Sequence, residues 1–285
     1  MSLDKDWFSE LFTPAGSAFS LKIKAKLFDE QSPFQHIEVY ATEAFGNLMV
    51  IDGCIMLTER DNFLYHEMLA HPVLFTHSAP KRVLIIGGGD CGTLREVLKH
   101  PEVSEVTQVD IDAAVTRAAE KYFPTLCESN QDPRAHLHFE DGIAWVRNAA
   151  AGRYDVIIVD STDPVGPAKG LFSKPFFEDC YRALGENGLL VQQSESPLFN
   201  LEDILKPLHQ NMSAAGFKDV HSLHFPQCVY PSGWWSVTLA GKTGKVSRFR
   251  ESDAADKPFA TEYYNVDIHH AALATPEFMR RALGS

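Results

Sequence analysis

Between Lys81 and Gln193 the chain repeats one pattern: a short run rich in Val, Ile and Leu, then a stretch with helical spacing. The runs are Val83–Ile86, Glu105–Val109, Ala135–Phe139, Tyr154–Val159 and Gly188–Gln192. The helical stretches lie near Thr93–His100, Ala113–Tyr122, Ile143–Ala149 and Pro175–Leu184. Strands joined by helices pair through crossovers, so this alternation predicts a mostly parallel sheet covered on both faces, an α/β fold. After Phe217 the rhythm changes. Lys218–Phe225 and Trp234–Ala240 read as two strands joined by a Pro/Gly loop, hence an antiparallel pair. Lys242 to Lys257 is polar and reads as a surface excursion.

The first part of the chain is of another kind. Leu21 to Leu27 alternates apolar and basic residues with a period of two, and Phe34–Tyr40, Gly46–Ile51 and Cys54–Leu57 follow through short connections. Asp52-Gly53 between two apolar runs is a strong hairpin signal. We therefore expect a small N-terminal antiparallel β domain over residues 1–75 and a larger α/β catalytic domain over 76–285. A helix carrying Tyr65 and His66 leads toward Pro72.

Ligands of an open parallel sheet bind beyond the carboxyl ends of its strands. Gly87-Gly88-Gly89-Asp90-Cys91-Gly92 follows the first strand and fits G-x-G-x-x-G, which lets a ligand approach the backbone at a helix N-terminus. Asp110 ends the second strand about 20 residues beyond, where a carboxylate can accept hydrogen bonds from both ribose hydroxyls. That placement selects a ribose without naming the cofactor. Either Asp110 or Asp112 could instead cap the next helix; we assign the ribose to Asp110 and the cap to Asp112. The remaining strand ends carry Asp141-Gly142, where a plain turn is the alternative, then Asp160 and Gln193. No basic residue interrupts the series. An acidic cleft suits a cationic ligand and repels a pyrophosphate, which counts against NAD. The segment from Asp160 to Pro167 holds Asp160 and Asp163 in a loop stiffened by two prolines and a glycine.

Charge agrees. The formal balance is −12, from 38 acidic and 26 basic residues, which disfavours nucleic acid and attracts cations, though acidity also serves solubility. The five cysteines are scattered and form no C-x-x-C pair, so we expect a reduced compartment and no disulfide framework. No apolar run approaches the ~18 residues of a membrane span, and Met1 to Phe12 lacks the apolar block of a signal peptide. We expect a cytoplasmic protein. His66 and His71 are five apart, roughly 140° around a helix, and cannot share a metal from one face, so we expect none. Neither a Gly-x-Ser-x-Gly elbow nor a Walker loop occurs.

Taken together, these residues resemble the polyamine aminopropyltransferases, and most closely the spermidine synthases. The likeness spans nearly the whole chain: Trp7-Phe8, Phe34-Gln35, the run Leu57–Asp61, Tyr65–Met68, Gly87–Asp90, Asp141-Gly142, Asp160–Pro167, Gln193 and Tyr230–Gly233. The resemblance implies a Rossmann-like domain of the methyltransferase type behind the β domain, assembled as a homodimer or homotetramer. It implies transfer of an aminopropyl group from decarboxylated S-adenosylmethionine, a co-substrate and not a permanently bound cofactor, to putrescine. The products would be spermidine and methylthioadenosine. Carried over by motif, Gln35, Gly87, Gly89, Asp90, Asp110, Asp141, Gly142 and Pro167 would hold the donor. His66, Asp90, Asp160, Asp163, Gln193 and Tyr230 would line the diamine site, with Asp160 and Tyr65 acting in catalysis. Asp90 would pair with the donor's ammonium and repel the carboxylate of intact S-adenosylmethionine. An aspartate near ~3.9 is a poor base for an alkylammonium near ~10.4, so Asp160 would orient the amine and take its proton directly or through water.

The sequence departs from the family pattern in places. Asp110 stands for a longer Glu, and Cys91 for Gly or Ala. Met56 lies near the expected amine channel, and Trp234-Trp235 follows Tyr230–Gly233. These changes leave cadaverine, agmatine and spermidine as alternatives to putrescine. A methyltransferase using S-adenosylmethionine and a catalytically silent polyamine-binding protein are the competing classes.

Overall fold

The computed structural model of the chain describes residues 3–164 and 166–284, and of Pro167 the backbone alone. Its first unit is a five-stranded antiparallel sheet in chain order: β1 (Trp7–Phe12), β2 (Ser17–Gln31), β3 (His36–Thr42), β4 (Asn47–Ile51) and β5 (Cys54–Thr58). At the β4–β5 hairpin, Asp52 and Gly53 both take positive φ, 50° and 84°, the type I′ geometry whose twist matches that of the strands. Ile37, Val39, Met49, Ile51 and Leu57 form the inner face of this sheet. They pack on Ala114, Val115 and Ala118 of the second unit.

Helix α1 (Asn62–Thr76) follows and is enclosed nearly all round. It runs a turn beyond Pro72 because Val73, Leu74 and Phe75 are buried in the core of the second unit. The Thr76 hydroxyl donates to the Pro72 carbonyl at 2.8 Å.

The second sheet has seven strands: β6 (Arg82–Gly87), β7 (Glu105–Asp110), β8 (Ala135–Phe139), β9 (Tyr154–Asp160), β10 (Leu184–Gln193), β11 (Asp219–Pro226) and β12 (Trp234–Gly241). Their order is β11-β12-β10-β9-β6-β7-β8. Strands β6 to β10 are parallel; β12 runs antiparallel to β10 and β11 antiparallel to β12, as the sequence predicts. Helices α2 (Gly92–Leu98), α3 (Ala113–Tyr122), α4 (Gly142–Asn148), α5 (Lys174–Ala183) and α6 (Lys206–Ala214) complete the layers, with apolar cores on both faces. Chain order reverses at β6, which lies between β7 and β9. That is the switch point above which such sheets bind ligands.

Residues 242–257 are not the plain surface excursion expected. Val246 and Ala254 are fully buried, and the Arg250 guanidinium donates to the carbonyls of Leu74 and His77 and pairs with Glu102. Further on, the buried Glu67 carboxylate accepts the backbone N–H groups of Glu262, Tyr263 and Tyr264 at 2.7, 2.9 and 2.7 Å. Among the described residues no helix is long and apolar enough to cross a membrane.

Candidate active site

The loop after β6 turns back over the end of β9. Gly87 takes φ 84°, and a Cβ there would lie 2.0 Å from the Asp160 carbonyl oxygen, so only glycine fits. Gly88 N–H donates to that carbonyl at 2.8 Å. The loop then delivers Asp90, whose Oδ1 accepts Gly92 N–H at 2.7 Å and faces His66 Nε2 of α1 at 3.1 Å. Burial alone would lower the His66 pKa, but the Asp90 carboxylate outweighs it and raises the net value. Asp90 is correspondingly lowered: burial works against it, and the charge and hydrogen bond of His66 prevail.

Asp160, at the end of β9, is buried and held at both oxygens. Tyr65 OH donates to Oδ1 at 2.7 Å and the Thr93 hydroxyl to Oδ2 at 2.6 Å. Burial first, then the charge of Asp90, pushes its carboxyl up to about 6, against the pull of His66, Thr93 and Tyr65. Asp110 also reaches about 6, through burial above all; the N–H of Asp112 opposes the rise, and the charges of Asp112, Asp160 and Asp90 add to it. Asp112 is the cap expected of it. It accepts Ala114 N–H at 2.9 Å, and also the Ser32 hydroxyl and the Gln35 amide at 2.6 and 3.1 Å. Asp141 caps α4, accepting from Ile143 and Ala144 N–H, while still lining the cleft.

These groups surround a cleft of about 410 Å³. Gln35, Gly87, Asp90, Asp110, Asp141, Gly142 and Asp160 all line it, between apolar walls that include Met49, Ile51 and Ile143. Gly89 does not. It makes room instead: a Cβ there would crowd the Asp110 carboxylate at 2.9 Å and Val115 at 3.0 Å. Gly92 does the same for His66, whose ring would lie 2.2 Å from an added Cβ. The side chain of Pro167 lies outside what the structure describes.

A second chamber of about 40 Å³ adjoins the first, and Met56, Tyr65, Ser161, Thr162 and Tyr230 line both. Tyr230 OH donates to the Met56 carbonyl. Asp163 and Gln193 line this smaller chamber, as does Glu10 of β1. The residues expected around a diamine are divided between the two: His66, Asp90 and Asp160 line the larger cleft, Asp163 and Gln193 the smaller, and Tyr230 both. Burial raises Glu10 to about 7; the Ile55 N–H that it accepts opposes this and the Asp163 charge adds to it. Behind Asp163, burial and the Asp163 charge hold Glu195 well above the ordinary carboxylate range, and burial raises Asp163 as well. Gln193 donates to Glu195 Oε1 at 3.2 Å.

Thr93, Glu10 and Glu195 are site residues the sequence reading does not reach. Glu195 lies two positions past Gln193, so following the chain beyond the strand end would have found it. Among the described residues no Lys or Arg pairs with Asp90, Asp110, Asp160 or Asp163; the ionic partner of Asp90 is His66. Among the described residues the cluster of candidate metal ligands is Asp29, His36 and Glu38, with atoms within 4.8 Å of one another. The Lys26 ammonium already bridges its two carboxylates. The site as a whole can receive two small cations in adjoining chambers, with Tyr65 lining both and donating to Asp160 of the larger one.

Comparison with known proteins bears on this arrangement. Residues 62–250 match the Spermine/spermidine synthase domain and residues 6–59 the Spermidine synthase tetramerisation domain. The polyamine aminopropyltransferase of Thioalkalivibrio sulfidiphilus is 65% identical over 283 residues, 99% of each chain. That of Methylococcus capsulatus is 63% identical and covers 98% of this chain and 97% of its own. A spermidine synthase solved in complex with the transition state analogue AdoDATO superposes with a TM-score of 0.95 at 36% identity, covering 100% of this chain and 97% of its own. The spermidine synthase from Thermotoga maritima gives 0.93 at 35%, covering 100% and 96%.

Proposed function

The chain belongs to the spermine/spermidine synthase family of polyamine aminopropyltransferases, and we propose that it transfers the aminopropyl group of decarboxylated S-adenosylmethionine to putrescine. Spermidine and methylthioadenosine are the products. The observation that carries this reading is the pair of carboxylate-lined chambers meeting at Tyr65, which donates to Asp160, with no Lys or Arg neutralising them among the described residues.

In this reading the donor fills the larger cleft. Asp110 accepts from the ribose hydroxyls, with Gln35, Asp141 and Gly142 around the nucleoside. The aminopropyl ammonium pairs with Asp90, whose charge repels the carboxylate that intact S-adenosylmethionine would bring. That repulsion argues against a methyltransferase. The diamine threads the passage, its distal ammonium among Glu10, Asp163 and Gln193 and its attacking nitrogen beside Tyr65, Tyr230 and Asp160. The nitrogen lone pair attacks the propyl carbon attached to sulfur, the C–S bond breaks, and methylthioadenosine leaves as a neutral thioether.

The proton goes to Asp160. A carboxyl at about 6 lies roughly four units below an alkylammonium near ~10.4, a gap of about 6 kcal/mol. Had Asp160 kept its ordinary value, the gap would be about 3 kcal/mol wider. The donor's sulfonium, a positive charge beside the nitrogen, lowers the ammonium pKa and narrows the gap further. Aligning the two reactants supplies several kcal/mol more.

The match to a tetramerisation domain supports a homo-oligomer, dimer or tetramer, and a biosynthetic role of this kind fits the cytoplasm. We move the seam between the two units from the expected 75/76 to the short connection from Thr58 to Asn62, because Leu69, Val73, Leu74 and Phe75 of α1 pack in the core of the second unit. Incubation with the decarboxylated donor and a panel of putrescine, cadaverine, agmatine and spermidine, followed by mass spectrometry, tests the reaction. Putrescine should gain one aminopropyl unit; a methyl group transferred from intact S-adenosylmethionine, or no product at all, refutes it.

A further inference from the structure

Trp235 of β12 lines the smaller chamber and is 5% exposed. Its ring meets that of Tyr230 edge-on, with centroids 4.7 Å apart. The indole Nε1–H is buried and has no hydrogen-bond acceptor among the described residues. A tryptophan buried this way normally finds a partner, because an unserved N–H forfeits its hydration.

The chamber's other polar groups include the acceptors Glu10 and Asp163. A diammonium brings only donors. It would serve those carboxylates and leave the indole N–H unserved. A group with lone pairs as well as hydrogens is needed, and water is the smallest. One water can accept from Nε1–H and from the distal ammonium while donating to two carboxylate oxygens. Buried waters are held by two to four such partners, so this one would be fully served. A chamber of about 40 Å³ has room for one beside the end of a slim amine.

We propose that Trp235 sets the length of the acceptor, holding a water between its N–H and the distal ammonium that a four-carbon diamine retains and a five-carbon diamine must expel. The proposal rests on the aminopropyl-transfer reading of the two chambers and names the feature that would choose among acceptors. Burying one more methylene ordinarily improves binding about fourfold. Expelling the water leaves the indole N–H without a partner and reverses the preference by about tenfold or more. Phenylalanine at this position keeps an aromatic wall and has no N–H to strand.

The test compares kcat/KM for putrescine and cadaverine, at saturating decarboxylated donor, in the wild-type protein and in Trp235→Phe. The wild type should prefer putrescine. In the variant the preference should fall about tenfold, chiefly through better use of cadaverine. An unchanged ratio overturns the proposal. Crystal structures of the wild type with methylthioadenosine and each diamine decide the matter even if the variant does not fold. A water on Nε1 with putrescine and none with cadaverine supports it; no water with putrescine overturns it. Product formed with an unaltered ratio sinks this inference alone, whereas no aminopropylated product from any amine in the wild type sinks the reading beneath it.

Discussion

Replacing Asp160 by asparagine should stabilise the protein while removing its activity. The carboxyl stands at about 6 in the folded chain against an ordinary value of 3.8. Folding therefore favours the protonated group. As pH rises from 4 to 6 the unfolded chain ionises first, and unfolding free energy is lost throughout that window. Roughly two pKa units correspond to about 3 kcal/mol, lost in full above pH 6. Asparagine is neutral and of the same shape. Its amide oxygen can still accept from Tyr65 and its NH₂ can donate to the Thr93 oxygen. We expect a gain of about 1–3 kcal/mol at pH 7.5, a rise in Tm of about 2–8 °C, and a difference shrunk to about 0.5 kcal/mol at pH 4, where the folded carboxyl is neutral and the unfolded one about half ionised. Turnover should fall about 10²–10⁴-fold. Thermal unfolding of both proteins across pH 4–8, with kcat measured at pH 7.5, gives both quantities. A variant no more stable at pH 7.5, or one whose advantage is undiminished at pH 4, would refute the claim that Asp160 is held as a destabilised anion.

Two further changes separate the chambers. Gly92→Ala places a methyl group where the His66 ring lies, 2.2 Å away, and should pull the imidazole off Asp90. Steady-state kinetics should show the donor KM rising about tenfold or more with the amine KM little changed, as expected when a charge-assisted pair is broken; an unaltered donor KM contradicts this. Glu10→Gln keeps an acceptor for Ile55 N–H but removes a carboxyl poised at about 7. The amine KM should rise about tenfold at pH 8, where Glu10 is an anion, and hardly at pH 6, where it is mostly protonated. Equal losses at both pH values would show that its charge is not what the amine meets.

The parallel sheet was legible because buried strands leave apolar runs that change abruptly to polar residues where the sheet ends. Asp110, Asp160 and Gln193 were found by that change alone, and α3 begins one residue after the capping Asp112 named for it. Elsewhere local pattern and tertiary setting disagree. In β1, Glu10 is buried while Leu11 beside it is 69% exposed, the inverse of what hydropathy predicts, so no periodicity could show that Glu10 reaches the site. Lys206–Ala214 begins at Lys206-Pro207, a breaker to the eye, yet a proline is tolerated in a helix's first turn, where its missing N–H would have no partner anyway. Thr93 resembles any threonine opening a helix. Only the packing of α2 against the end of β9 brings its hydroxyl to Asp160.

The three amides that Glu67 gathers from residues 262–264 make the tail of the chain a brace for the helix bearing Tyr65 and His66. That tail lies beyond residue 250, where the match to the synthase domain stops. Ending the protein at residue 250 would strand a carboxylate in an apolar setting one residue from His66. Inactivity of so shortened a protein would then report a slackened scaffold, with every reacting group still present in the chain.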